Sequence, residues 1–365
     1  MSLKDLTAKN IFLHKPYIPG KQPSNFEQTI KLNTNENPYP PSPRISKSIL
    51  KQIDALARYP NSSADSLRLT IAKLHNVDVG QVIVGNGSDD ILNLCVRCFS
   101  DYSKSIGMFD PSYSLYEVLG SMQGVEVKKF AFSDPKFEIE PEIISQSGTN
   151  LFFLTSPHAP SGRIYNNSIF SSALHQYSGI LVIDEAYADF APFNALSMLN
   201  ESKRVIITRT LSKSYSLAGL RVGYALASSG IISILNKVRE VYNVDRLAQH
   251  IAEIALNDRE YFEKTKSNIL SVRENTHQIF TKWNWKTYES GANFLFTQPI
   301  DSRGLFGEEI ALNLFNFLSA NNVLIRYFPS NPLTSSFLRI SIGKQEEMDM
   351  LLNLISKWKT TDQQM

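Results

Sequence analysis

The stretch Arg204–Ala227, RVIITRTLSKSYSLAGLRVGYALA, decides the fold. Its two ends, RVIITR from Arg204 and VGYALA from Val222, are short apolar runs of the length and β-branched content of buried strands. Between them Thr210, Ser212, Lys213 and Arg221 bring two hydroxyls, an amine and a guanidinium to one strand end, among small residues that let backbone approach closely. In open α/β sheets ligands bind beyond the carboxyl ends of the strands, so such punctuation marks chemistry as well as a turn. A lysine held among apolar and cationic neighbours has a lowered pKa and can act as an amine nucleophile; the plainer alternative is a solvated lysine.

Outward from this stretch, further strand candidates are QVIVG from Gln81, SIGMFD from Ser105, VEVKKFAF from Val125, LFFLTS from Leu151 and ILVIDEA from Ile180. Helical patterns such as SLYEVLGSMQ and IFSSALHQY separate most of them. This alternation predicts βαβ units in an α/β fold, with a mostly parallel, doubly wound sheet covered on both faces. After Ser229 long helical stretches lead to a compact α+β tail: NFLFTQP, a helix EEIALNLFNFLSANN, VLIRYFP, FLRISIG and a last helix. The expected division is an irregular N-terminal arm (1–40), a large domain (41–260) and a smaller C-terminal domain (261–365).

Composition excludes several classes. Lys+Arg 37 against Asp+Glu 35 leaves a net charge of +2, too balanced for a nucleic-acid or membrane-surface binder. No apolar run reaches the roughly 18–20 residues that span a bilayer, and the first residues lack the continuous apolar core of a signal peptide. Cys95 and Cys98 form one Cys-x-x-Cys at helical spacing, without the second pair a zinc site wants. They read as core thiols of a cytoplasmic protein. His14, His75, His175, His250 and His277 show no metal-ligand spacing.

Two more strand ends carry polar residues. Val82–Val84 runs into Gly85-Asn86-Gly87-Ser88-Asp89-Asp90, where free backbone N–H groups at a helix start can hold a phosphate, although any such turn needs glycine and a cap. Ile180–Ile183 delivers Asp184, then Glu185, Ala186 and Tyr187; a carboxylate there is costly to bury unless a cation pairs with it. Together a carboxylate for a pyridinium nitrogen, a lysine for a Schiff base and a hydroxyl, arginine and helix N–H cradle are what pyridoxal 5′-phosphate requires. Tyr113, after Asp110-Pro111-Ser112, can stack on its ring.

SKSYSLAGLRVGY from Ser212, VIDEAYADF from Val182, GNGSDD from Gly85, LNTNENPYPPSP from Leu32, RYP at Arg58 and YNVDRLAQ from Tyr242 closely resemble the histidinol-phosphate aminotransferases, fold-type-I pyridoxal-phosphate enzymes. The resemblance covers nearly the whole chain in order. It implies amino transfer between L-histidinol phosphate and 2-oxoglutarate in histidine biosynthesis. Lys213 would bond the cofactor and shuttle a proton, Asp184 hold the ring nitrogen protonated, Tyr187 bond the phenolic oxygen and Tyr113 stack. Ser88, Asp89, Thr210, Ser212 and Arg221 would cradle the phosphate. Tyr59 would reach the neighbouring subunit's phosphate, making a homodimer with shared sites. Arg339 matches a carboxylate-binding position and Arg326 one near the substrate phosphate, while Tyr17 and Asn37 belong to an arm over the substrate.

One departure stands out. The family's loop reads Asn-Pro-Asn-(Asn or Ala)-Pro-(Thr or Ser)-Gly; here it is Ser156-Pro157-His158-Ala159-Pro160-Ser161-Gly162. With no asparagine left, His158 can donate a ring N–H to the phenolic oxygen, or Tyr187 carries that contact alone. Asp90 stands where the family commonly has glutamate. A transaminase with an aromatic donor, or a lyase similar to threonine-phosphate decarboxylases, would keep the same lysine and cofactor site.

Overall fold

The computed structural model describes residues 2–361 apart from Ser24, Phe26 and Glu27. A two-residue strand, β1 (Ile30–Lys31), precedes seven strands that make one sheet: β2 (Val82–Asn86), β3 (Ile106–Asp110), β4 (Val127–Ala131), β5 (Leu151–Thr155), β6 (Ile180–Asp184), β7 (Val205–Thr210) and β8 (Val222–Ala227). Each falls on one of the apolar runs picked out above. Their spatial order is β2-β8-β7-β6-β5-β3-β4, with β8 antiparallel to both neighbours and the other contacts parallel.

Strand side chains alternate between two buried layers, as the two-residue period requires. Leu181, Ile183, Val205 and Ile207 enter one apolar cluster, while Val182 and Ile206 enter the other. Helices cover both faces, so nearly every position of β5, β7 and β8 is buried. The parallel strands deliver Asp110, Thr155, Asp184 and Thr210 to one edge of the sheet. Because β8 runs the opposite way, its entry residue Arg221 arrives at that same edge.

The tail carries a second sheet. β9 (Lys286–Thr287), β10 (Phe294–Gln298), β12 (Arg326–Tyr327) and β13 (Leu338–Ser341) form an antiparallel sheet of order β12-β13-β10-β9. The helices Glu308–Ala320 and Gln345–Thr361 share its apolar cluster, with Leu314, Leu318, Leu351 and Ile355 buried. The helix Arg259–Lys282 starts in the large cluster through Phe262 and continues in the small one through Ile269 and Phe280.

The expected arm of residues 1–40 is corrected in its second half. β1 pairs in parallel with β11 (Val323–Leu324), Leu32 lies in the apolar cluster of Phe294, Leu338 and Ile340, and the Ser341 N–H donates to the Leu32 carbonyl at 3.0 Å. The physical reason is pairing across almost three hundred residues, which rewards a polar, proline-rich segment with backbone bonds no local pattern reveals. No helix among the described residues is long and apolar enough to cross a membrane.

Candidate active site

Asp184 ends β6 and is buried. One carboxylate oxygen accepts from the Tyr116 hydroxyl at 2.7 Å and the other from Thr208 Oγ1 at 3.0 Å. Burial without a paired cation pushes its pKa up to about 6, against the pull of those two hydroxyls. A carboxylate so placed is poised to accept a cation.

Lys213 follows β7 and is part-buried. Its Nζ donates to the Thr34 carbonyl at 2.9 Å and lies 6.0 Å from the centre of the Tyr187 ring. Burial, and then the Arg339 charge, push its pKa down to about 8, so a useful fraction of the amine is neutral near physiological pH. The chain beside it is anchored by a buried ion pair: Arg209 grips Glu185 through Nε at 2.9 Å and Nη2 at 2.6 Å and reaches Asp189, which also accepts from Ser214 Oγ.

The start of the helix Ser88–Phe99 lies against β8. A methyl group at Gly223 would sit 2.2 Å from the Ser88 nitrogen, and one at Gly87 2.5 Å from an Arg221 guanidinium nitrogen. Arg221 itself donates to Asp89 at 2.9 Å, and Asp89 accepts from the Tyr113 hydroxyl at 3.2 Å. Thr210 Oγ1 accepts from the Ser212 N–H at 3.1 Å and donates to Ser212 Oγ at 2.9 Å, folding the turn into the same corner. Gly223→Ala is therefore expected to push the helix start away from Arg221. It should cost about 1–3 kcal/mol of stability and weaken cofactor phosphate binding. Thermal unfolding and a fluorescence titration with pyridoxal phosphate check both.

Arg339 and Arg326 are directly opposite each other on β13 and β12, hence on one face. The Arg339 guanidinium lies between the rings of Phe294 and Phe328, 5.2 Å from each, and Arg326 lies 5.5 Å from Phe328. Arg339 donates through Nη2 to the Asn33 carbonyl at 3.2 Å, while its buried Nε has no partner. Two like charges so juxtaposed, one with an unused donor, call for an anion. Tyr17 feels both arginines and meets Tyr113 edge-on at 6.1 Å.

Contacts and charge coupling link Lys213 to Tyr187, Asp89, Arg221 and Arg339, Tyr113 to Asp89 and Tyr17, Tyr17 to Arg326 and Arg339, and Thr210 to Ser212, while Asp184 ends the strand next to theirs and Ser88 opens the helix beside Arg221. Asn37 has another placement: its amide donates to the Ser214 carbonyl and accepts from the Tyr39 N–H, so it braces the chain after Lys213. His158 is a correction. Its Nε2 lies 3.0 Å from the Pro111 carbonyl and must donate there, leaving Nδ1 to accept from Ser161 Oγ at 2.7 Å. Burial lowers its pKa to about 4 and keeps the ring neutral, with its single N–H spent; the ring packs against Phe132 and Phe137. Tyr59 stands apart, 77% exposed and stacked on Tyr242 at 4.5 Å. Thr34, Asn35, Tyr116 and Thr208 were not foreseen; only their place beside motif residues hinted at them.

Pyridoxal phosphate fits these residues: a buried carboxylate lacking a cation, a depressed amine, and a helix start with an arginine beside it. The family described as aminotransferase class I and II matches residues 27–355. The chain is 40% identical over 345 residues to a histidinol-phosphate aminotransferase of Syntrophotalea carbinolica, covering 94% of this chain and 96% of that one. Its fold is similar to the histidinol-phosphate aminotransferase of Sinorhizobium meliloti solved with pyridoxal-5′-phosphate: TM-score 0.81, 23% identity, 90% and 91% of the two chains. It is also similar to the L-threonine-O-3-phosphate decarboxylase of Porphyromonas gingivalis, with TM-score 0.75, 20% identity and 90% and 98% coverage. The fold therefore does not separate amino transfer from decarboxylation, whereas the full-length identity to the first relative favours amino transfer.

Proposed function

The chain belongs to the aminotransferase class I and II family, and from that premise we propose that it moves the amino group of L-histidinol phosphate to 2-oxoglutarate, as a cytoplasmic homodimer of histidine biosynthesis. The observation that carries the substrate reading is the arginine pair. Arg326 and Arg339 face each other across β12 and β13, with the Arg339 charge felt at Lys213, an arrangement suited to anionic substrates.

Bound pyridoxal phosphate supplies an electron sink for the pair released when the substrate Cα loses its proton. The chain's residues do the rest. Lys213 Nζ, with its amine held partly neutral, would hold the cofactor and would carry the proton taken from the substrate Cα. Asp184, screened from water and steered by Tyr116 and Thr208, keeps the ring nitrogen protonated. Tyr113 covers the ring and Tyr187 donates to its phenolic oxygen. The Ser88–Phe99 helix start, Ser212, Thr210 and Arg221 hold the phosphate. Arg339 offers its free Nε and the rest of its fork to a carboxylate, Arg326 takes the substrate phosphate, and Tyr17 closes over both.

Tyr59 supports the dimer. An exposed, stacked ring pair, held by Arg246 donating to the Tyr59 carbonyl at 2.7 Å, suits a neighbouring subunit's phosphate.

Two substitutions separate the arginine roles. Arg339→Gln should raise KM for 2-oxoglutarate about 10- to 100-fold, and Arg326→Gln should raise KM for L-histidinol phosphate by a similar factor. Steady-state glutamate formation with each substrate varied in turn reads both. Equal effects of either variant on both substrates contradict the assignment. L-phenylalanine or O-phospho-L-threonine outperforming L-histidinol phosphate in that assay contradicts the donor.

A further inference from the structure

The loop after β5 offers the cofactor no asparagine, and His158 has no N–H to spare. The structure does hold an asparagine amide against the hydroxyl that remains. Asn35, 1% exposed, donates through Nδ2 to the Tyr187 hydroxyl at 2.9 Å.

The direction of that bond follows from proton accounting. The Asn35 backbone N–H donates to Ser341 Oγ at 2.9 Å, and Ser341 Oγ lies 2.8 Å from Asn35 Oδ1. A serine hydroxyl can accept twice, so the direction is set by using every donor: with the amide oxygen at Ser341 its single proton is spent there, whereas the flipped amide would leave that proton idle. The amide oxygen is therefore the atom facing Ser341, and the NH2 group is the one facing Tyr187. The Asn35 carbonyl in turn accepts from Asn293 Nδ2 at 3.0 Å. Its φ of +56° is a left-handed conformation that asparagine tolerates better than most residues. Four hydrogen bonds and an unusual backbone thus hold one amide in one orientation. The Tyr187 ring is fixed as well, edge-on to Phe294 at 5.2 Å.

We propose that Asn35 is a positioning residue: by donating to the Tyr187 oxygen it turns the Tyr187 O–H away from itself and onto the phenolic oxygen of bound pyridoxal phosphate, replacing the orienting bond that the loop lacks. The inference rests on the cofactor site described above. A hydroxyl that accepts from an amide cannot point its proton back at that amide, so the proton is left for the cleft. Ser341 and Arg339 lie two residues apart on β13 and both hold the Asn33–Asn35 segment, Arg339 through the Asn33 carbonyl. The carboxylate-binding arginine and the phenol-orienting amide are therefore built on one frame.

The test uses the cofactor-loaded protein and the pH midpoint at which its visible absorption changes, where the cofactor–lysine nitrogen gains or loses its proton. A donor on the phenolic oxygen stabilises that anion most when the nitrogen is unprotonated, so losing the donor raises the midpoint. Asn35→Gly keeps the left-handed backbone while removing the amide. It should raise the midpoint by about half a pH unit to one unit, towards the value of Tyr187→Phe. Adding Asn35→Gly to Tyr187→Phe should move it no further. Ser341→Ala, which frees the amide to turn, should shift it the same way by less. A midpoint unmoved in Asn35→Gly and Ser341→Ala, or additive shifts in the double variant, would overturn the proposal. A wild-type protein that takes up no pyridoxal phosphate would overturn the cofactor site itself, and the inference with it.

Discussion

Lys213→Ala should lose amino transfer on the order of 10⁴-fold or more while the protein stays folded. The side chain supplies one amine to the cleft and one hydrogen bond to the Thr34 carbonyl, so its removal leaves little unsatisfied. On the proposed assignment two roles vanish at once, the covalent hold on the cofactor and the proton carrier at Cα, and no partial substitute keeps either. The phosphate cradle proposed at Ser88 and Arg221 is untouched, so the variant should still bind pyridoxal phosphate, without the visible band of the lysine-linked form. Lys213→Arg separates charge from nucleophilicity. Its guanidinium stays protonated, whereas the lysine amine is brought to about 8, so the arginine variant should be as inactive as the alanine one. Turnover by single-wavelength assay, with melting temperature as the control, checks both. Activity within tenfold of wild type in either variant contradicts the role.

The second large effect is expected at Asp184, with opposite signs in two states. In the loaded enzyme Asp184→Asn leaves the ring nitrogen without its counter-charge, and amino transfer should fall by about 10²–10⁴-fold. In the cofactor-free protein the same change should stabilise. The folded carboxylate has its pKa raised from 3.8 to about 6 by burial. A raised acid contributes its stability fully below 3.8 and loses it as pH rises through about 6. At pH 7.5 the wild-type apoprotein therefore carries the whole penalty of a buried lone carboxylate, up to about 3 kcal/mol. Asp184→Asn carries none, so it should melt a few degrees higher at pH 7.5 and no higher at pH 4. Apoprotein melting curves at both values measure the difference. A lower melting temperature at pH 7.5 would show that the carboxylate is already compensated.

Much of this was legible before the fold was known, and the reasons are local. Six of the seven strands of the large sheet are short apolar runs, because helices on both faces remove the polar alternation that would blur them; the edge strand β4, VKKFA, is the exception. Lys213, Asp184 and Arg221 stood out because each follows or precedes such a run, where a polar residue has no packing reason to be. The LNTNENP segment was misjudged for the converse reason. Asn33 and Asn35 are buried, yet asparagine and proline in sequence look like a surface loop. Their burial depends on bonds to Arg339 and Ser341, 306 residues away, and to Asn293, 258 residues away. His158 was misjudged because spacing places a residue in a loop without saying which way its ring turns; Phe132 and Phe137 decide that. Tyr116 was hidden by its helix, where an aromatic at apolar spacing reads as core, which it also is.

The site around Lys213 is proposed to accept the amino group of a phosphorylated amine onto bound pyridoxal phosphate. Mixing the loaded protein with one equivalent of L-histidinol phosphate, without 2-oxoglutarate, tests it in a single turnover. The expected result is loss of the visible band, appearance of the near-ultraviolet band of pyridoxamine phosphate, and no carbon dioxide. An unchanged spectrum, with the same conversion produced by an aromatic amino acid or with carbon dioxide released from threonine phosphate, would contradict it.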